Sequence, residues 1–342
     1  MSKHVRIRLE TALPWIGGAI LLLIAVLLPV IVDRPRFWLP NIGVRSIWLG
    51  IIAMSMVFLN RYAGLLSLAQ VAIAGGCAYG LGYMVVNQGA SFWLGAIVGL
   101  IVGTLAAFLT AVIAVRTAAI YFLMITLAMS QVLYSWAGQS IEITNARRGL
   151  APIGRPAVFG FDLNDITNFY YFCVVIALLC YIVCRYVARS NFGLTLEGIR
   201  DSSNRMRALG YNVNRYRIMA VTFSGFIASI GGVVMTLDRA QIDPDAVSLN
   251  ATLDVLIVAV VGGIGSLLGV FVGGVVLTLL TNFGQNITDY YVSVMGVVFI
   301  VILYFAPTGL AGTGKALIRY MTKKKRSPQQ EEETSKMEGV KQ

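Results

Sequence analysis

Charge is what this chain has least of. Only 13% of its 342 residues are Asp, Glu, Lys or Arg, while 57% are hydrophobic. A soluble domain carries about 25% charged residues, so a water-soluble globule with an ordinary surface is excluded. Histidine is nearly absent: His4 stands alone in the N-terminal tail, which excludes imidazole catalysis and His-ligated metal. The four cysteines, Cys77, Cys173, Cys180 and Cys184, all fall inside apolar blocks with no C-x-x-C pair. Cys180 and Cys184 are i,i+4 neighbours and read as small packing residues rather than ligands. No clustered His/Asp/Glu set and no nucleophile with a base beside it occurs, so an enzyme is the least supported class.

What the chain does have is long apolar blocks. They run 17–24 residues with almost no charge, and about 20 such residues cross a bilayer as a helix. The expected fold is an all-α polytopic membrane protein with ten spans: 13–32, 44–60, 64–87, 91–115, 117–136, 169–187, 217–237, 250–263, 266–283 and 288–306. The run at 13–32 follows Lys3, Arg6 and Arg8 and ends in Val-Asp-Arg-Pro. It exceeds the ~7–15 residues of a signal-peptide core, so it reads as a retained first span. The expected organisation is a cytoplasmic tail 1–12, a transmembrane domain 13–312 and a disordered cytoplasmic tail 313–342.

Charge position gives the orientation. Ten spans put both termini on one side. With that side cytoplasmic, the outer loops hold seven arginines (Arg34, Arg36, Arg45, Arg147, Arg148, Arg155, Arg239), and the inner segments hold the other 20 of 27 Lys/Arg. Excess Lys/Arg marks the cytoplasmic face. The net charge of +11 is therefore a topology signal and not a nucleic-acid footprint; Lys323–Arg326 lie where they can touch anionic lipid.

Two glycine patterns point to an inverted repeat. The fourth span carries Gly95, Gly99 and Gly103, and the ninth carries Gly265, Gly269 and Gly273. Both are G-x-x-x-G-x-x-x-G, which lets another helix approach closely. An offset of five spans gives the two halves opposite orientation. Inverted five-helix repeats with interrupted helices are a transporter feature; the plain alternative is glycine-mediated packing in each half. Gly262, Gly263 and Gly265 interrupt the short eighth span.

Ion-coupled carriers need ionisable groups in the membrane, and Asp254 is the only acid clearly within an expected span. The largest inner loop, 188–217, is basic and patterned as two short amphipathic helices. Such an element suits docking into another protein's groove or resting on lipid, and spacing alone does not choose. "GLAGTGKA" (309–316) mimics a phosphate-binding loop, but Ala316 stands where Ser or Thr would hold Mg²⁺. No nucleotide domain fits in the residues after Lys315, so no nucleotide site and no cofactor are expected in this chain.

Five stretches taken together resemble a known family. "YAGLLSLAQVAIAGGCAYG" (62–80), "RTAAIYFLMITLAMSQVLY" (116–134), "SNFGLTLEGIRDSSNRMRALGYNVNRYRIMAVTFSGFIASIGGVV" (190–234), "VVGGIGSLLGVFVGG" (260–274) and "FAPTGLAG" (305–312) resemble bacterial branched-chain amino acid ABC permeases of the LivM type. The resemblance implies a multi-pass inner-membrane permease subunit working by alternating access. It implies a homologous second permease, two cytoplasmic ATPases that hold the ATP, and a periplasmic solute-binding protein as partners. It places Gly193, Glu197, Gly198, Ile199, Arg200, Asp201, Ala208, Leu209 and Gly210 in the ATPase-coupling segment. It places Ser67, Gln70, Gly75, Gly76, Gly262, Gly263, Gly265 and Ser266 beside the translocation path, with Asp254 just before the turn.

The chain departs from that family at "TNARRGL" (144–150), which replaces a Gly-rich outer loop, and at Asp201-Ser-Ser-Asn in the coupling segment. The cargo implied is a branched-chain or other hydrophobic amino acid. Urea, short amides or a sugar on the same architecture, and a stand-alone secondary carrier, are the rival readings.

Overall fold

The computed structural model describes residues 35–117, 119–158 and 161–287, with Pro29, Gly296, Val297, Ile300, Tyr304 and Gly309 besides. The expected first and tenth spans, both tails and the GLAGTGKA stretch otherwise lie outside the described residues.

Among the described residues, five helices are long and apolar enough to cross a membrane. The first, α1 (Leu39–Ala63), is apolar all round, and 94% of its central window is buried inside the protein. A helix without a polar face belongs to an interior. It stops at Gly64, whose φ of 68° is the left-handed conformation that glycine adopts without strain. After an irregular stretch, 64–69, α2 (Gln70–Gly82) runs for 13 residues and is buried over nearly its whole length. The helix α3 (Phe92–Ala114) is two-faced. Gly95, Gly99 and Gly103 are buried, while Leu94, Ile97, Ile101 and Leu105 are exposed, which is a lipid-facing pattern.

Next come α4 (Ala119–Gln139) and a connection folded around a two-residue hairpin, β1 (Ala157–Val158) with β2 (Phe161–Asp162). Leu150 in that connection pairs with Ile242 as an isolated antiparallel bridge. The helix α5 (Ile166–Arg189) is capped by Asp165, whose carboxylate accepts from the Thr167 N–H at 3.3 Å. Two short helices follow, α6 (Asn191–Asp201) and α7 (Ser203–Ala208). Then come α8 (Val213–Arg239), the short α9 (Leu249–Gly262) and α10 (Gly269–Ile287).

The packing centres on α1 and α8, which touch each other. The pair α2–α3 lies against α8, and the pair α9–α10 lies against α1. Glycines set the separation within each pair. A Cβ added to Gly99 would stand 2.6 Å from the Cys77 carbonyl oxygen of α2, and one added to Gly273 would strike the Val258 carbonyl oxygen of α9. Lipid supplies no hydrophobic drive between helices, so such close backbone approach and buried hydrogen bonds hold them. The Ser46 and Thr278 hydroxyls make one such bond, 2.6 Å long, between α1 and α10.

Eight expected spans coincide with helices, with two differences. The span expected at 64–87 is helical only from Gln70. The span expected at 217–237 extends to Arg239 and brings Asp238 into a helix, a second helical acid besides Asp254 of α9. Asp238 is tolerated because Trp48 Nε1 donates to its carboxylate at 3.0 Å.

Candidate functional site

The two helices expected within 188–217 are present and closely packed. Ser202 separates them and caps α7, its hydroxyl accepting from the Arg205 N–H at 3.3 Å. Gly193 lies against the Ala188 carbonyl, and Gly198 admits the Met206 side chain. Leu196 and Ile199 are fully buried, so they hold the element to the bundle. Phe192 stacks on Tyr216 of α8 with ring centroids 5.9 Å apart, and Arg217 donates to the Ser203 hydroxyl at 2.8 Å. Turned outward are Leu194, at 61% exposure, and Leu209, at 67%. Ala208 and Gly210 are also exposed, and Glu197 is half-buried. Arg200 pairs with the exposed Asp201 at 2.8 Å.

Arg200 also reaches the bundle. Its guanidinium donates to the Arg61 carbonyl at the end of α1. The Arg61 guanidinium in turn donates to the Gly265 carbonyl, in the turn between α9 and α10. Gly64 lies under Arg200, where an added Cβ would meet Cγ at 2.7 Å. The start of the 64–69 interruption, the 263–268 turn and the end of α6 therefore meet around Arg61.

A second cluster is buried deeper. Gln70 is the first residue of α2, and both ends of its amide are engaged. Oε1 accepts from the Ser55 hydroxyl of α1 at 3.2 Å, and Nε2 donates to the Ser224 hydroxyl of α8 at 3.0 Å. Ser224 donates to the Ser55 carbonyl at 2.7 Å, closing the ring. The irregular stretch before it is held by side chains as well. The Leu68 N–H donates to Thr126 Oγ1 of α4 at 3.1 Å, and the Ala69 N–H to Ser67 Oγ at 3.3 Å. Ser67 and Gln70 are buried. Gly75 abuts Val247, and Gly76 faces Leu133 of α4.

At the opposite end of the bundle, Asp254 has Arg45 and Arg239 as its charged neighbours. Arg239 stands 3.8 Å from Asp243, and Arg155 donates to the Leu237 carbonyl at 3.1 Å while covering the Phe169 ring. Among the expected site residues, then, Gly262, Gly263, Gly265 and Ser266 form one turn near the α6–α7 element, Ser67 and Gln70 lie inside the bundle, and Asp254 is remote from both. All four cysteines are buried thiols.

Sequence reasoning missed Arg61, Ser55, Ser224 and Thr126. Arg61 was legible as a lone charge at a span end, three residues before Gly64. The hydroxyl residues carried no spacing signal, because Ser and Thr in a span also bond to their own helix backbone.

Residues 39–305 match the family model described as branched-chain amino acid transport system / permease component. The chain is 24% identical over 316 residues to the high-affinity branched-chain amino acid transport system permease protein LivM of Salmonella typhimurium, covering 85% of this chain and 73% of that one. It is 23% identical to LivM of Escherichia coli over the same shares. It is also 27% identical over 240 residues to the autoinducer 2 import system permease protein LsrC of Salmonella choleraesuis, covering 68% and 65%.

Proposed function

The chain belongs to the branched-chain amino acid transport system permease family, and on that premise we propose that it is the membrane permease of an ATP-binding-cassette importer for branched-chain or other hydrophobic amino acids. The observation that carries this reading is the family match across residues 39–305. The α6–α7 pair supports it: a two-helix element fixed to the bundle by Leu196, Ile199 and Phe192 turns Leu194 and Leu209 outward. Anchored on one side and apolar on the other, it is suited to seat in a groove on a partner ATPase.

In this reading the α6–α7 side is cytoplasmic, both termini lie on it, and the permease domain covers 13–312. Two ATPases bind and split the ATP; a second permease completes the path and a periplasmic binding protein delivers cargo. ATP-driven approach of the ATPases displaces α6–α7, and the spans rock around the path between inward- and outward-open states. The turn at 263–268 is the place where the backbone absorbs that motion, with Ser67, Gly75, Gly76 and Ser266 flanking the path.

The ten-span inverted repeat is part of the same proposal. Its support is the matched packing of α2–α3 on α8 and α9–α10 on α1, with Gly99 and Gly273 in equivalent close approaches.

The similarity to an autoinducer 2 import permease favours a second reading in which the same architecture carries a sugar-like cargo. Co-purification followed by uptake in proteoliposomes tests both. The expected result is an ATPase bound to the chain and ATP-dependent leucine uptake when binding protein is present. Uptake by the chain alone would overturn the ABC reading, and uptake of a sugar but no amino acid would select the second cargo.

A further inference from the structure

We propose that Arg61 is a positioning residue that ties the α6–α7 pair to the 263–268 turn, so that displacement of the pair is delivered to the end of α9. This rests on the reading of α6–α7 as the element that partner ATPases move.

The contacts form a continuous line. Arg200, in the last turn of α6, donates to the Arg61 carbonyl, and the Arg61 side chain donates to the Gly265 carbonyl. Three helix C-termini converge there: α1 ends at Ala63, α6 at Asp201 and α9 at Gly262. Each presents the partial negative charge of unpaired carbonyls. A guanidinium offers five donors in a fixed fork and stays charged, so it suits a site where several carbonyl ends meet.

The backbone carrying Arg61 is itself held. Tyr62 packs on Phe58 with ring centroids 5.1 Å apart, and Phe58 packs on Phe223 of α8 at the same distance. Gly64 keeps the space beneath Arg200 clear. By contrast, the bonds within the turn are local: Ser266 N–H to the Gly263 carbonyl at 2.9 Å and Gly269 N–H to the Ser266 carbonyl at 3.2 Å. Gly309 packs on Gly263, but from the far end of the chain and not from α6. A long-range bond to such a turn transmits movement that the local bonds do not.

Two measurements test this. In the purified full chain, hydrogen exchange is followed at 263–268 for Arg61→Gln, Arg61→Lys and Arg200→Gln, with Arg205→Gln on exposed α7 as control. The expected result is faster exchange at 263–268 by about tenfold in Arg61→Gln, within the usual range of coupling between sites. Arg200→Gln is expected to give a smaller rise at the same residues, Arg61→Lys partial protection, and the control no change. Unchanged exchange in both glutamine variants would overturn the link.

In the complex assembled with its ATPases, Arg61→Gln is expected to keep ATP hydrolysis and lose about tenfold in cargo moved per ATP. Hydrolysis and uptake both at the unmutated level would overturn the transmitting role. Should no ATPase bind the unmutated chain, the functional reading fails instead, and the exchange result still decides whether Arg61 holds the turn.

Discussion

The two interruptions of the bundle are built differently. The stretch 64–69 is fixed from three sides, by Thr126 of α4, by its own Ser67 hydroxyl, and by the Gln70 amide between Ser55 and Ser224. Among the described residues, the turn 263–268 has short-range bonds, one long-range bond from Arg61 and the packing of Gly309 on Gly263. Both break a helix within the bundle, where a freed backbone group must find a partner inside the protein. The first finds side chains on neighbouring helices and is fixed; the second, among the described residues, has one flexible side chain, Arg61, bonded to it from another helix and keeps more freedom to move. In an alternating-access protein the second is the place to expect motion.

The comparison can be tested from its strongest consequence downward. Gly99→Val and Gly273→Val should have the largest effect, about 3 kcal/mol each, because each drives a side chain into a carbonyl of the neighbouring helix. Equal losses, read by unfolding in detergent, would place the asymmetry in the interruptions and not in the helix pairs. Gln70→Leu should cost about 2 kcal/mol by removing two buried hydrogen bonds, to Ser55 and to Ser224. Ser55→Ala combined with Ser224→Ala should then cost less than the sum of the singles, as members of one network do. Thr126→Val, which removes the acceptor for the Leu68 N–H and the hydroxyl's own bond to the Leu123 carbonyl, should cost about 1 kcal/mol. Smallest is Ser266→Ala, within about 0.5 kcal/mol, with exchange at 267–269 faster because the Ser266 hydroxyl accepts from the Gly269 N–H. A cost above that of Thr126→Val would reverse the ranking of the two interruptions.

Much of this architecture was legible. Long apolar blocks locate helices well, because no alternative backbone is tolerated in lipid, and the middle eight expected spans fall on helices. The glycine triplets marked real close approaches at Gly99, Gly103 and Gly273. The six irregular residues before Gln70 were not legible, since Leu65, Leu66 and Leu68 read as helix by hydropathy alone. Their break depends on Thr126, 58 positions beyond Leu68 in the sequence. Arg61 lay in plain view as a charge at a span end, yet its partners Arg200 and Gly265 are supplied by tertiary structure. Asp238 was read as a loop residue because its cover, Trp48, comes from another helix.

The near-complete burial of α1 bears on how the protein is made. A membrane helix emerges from the ribosome into lipid before its later neighbours exist. For α1, part of the cover comes from α9 and α10, and Gly50 meets Phe271 only once α10 has been synthesised. Ser46 likewise waits for Thr278. Early in synthesis α1 is a lipid-exposed intermediate, and it becomes an interior helix only when the last third of the chain closes over it. A chain truncated before 249 would leave α1 without the α9–α10 pair that lies against it.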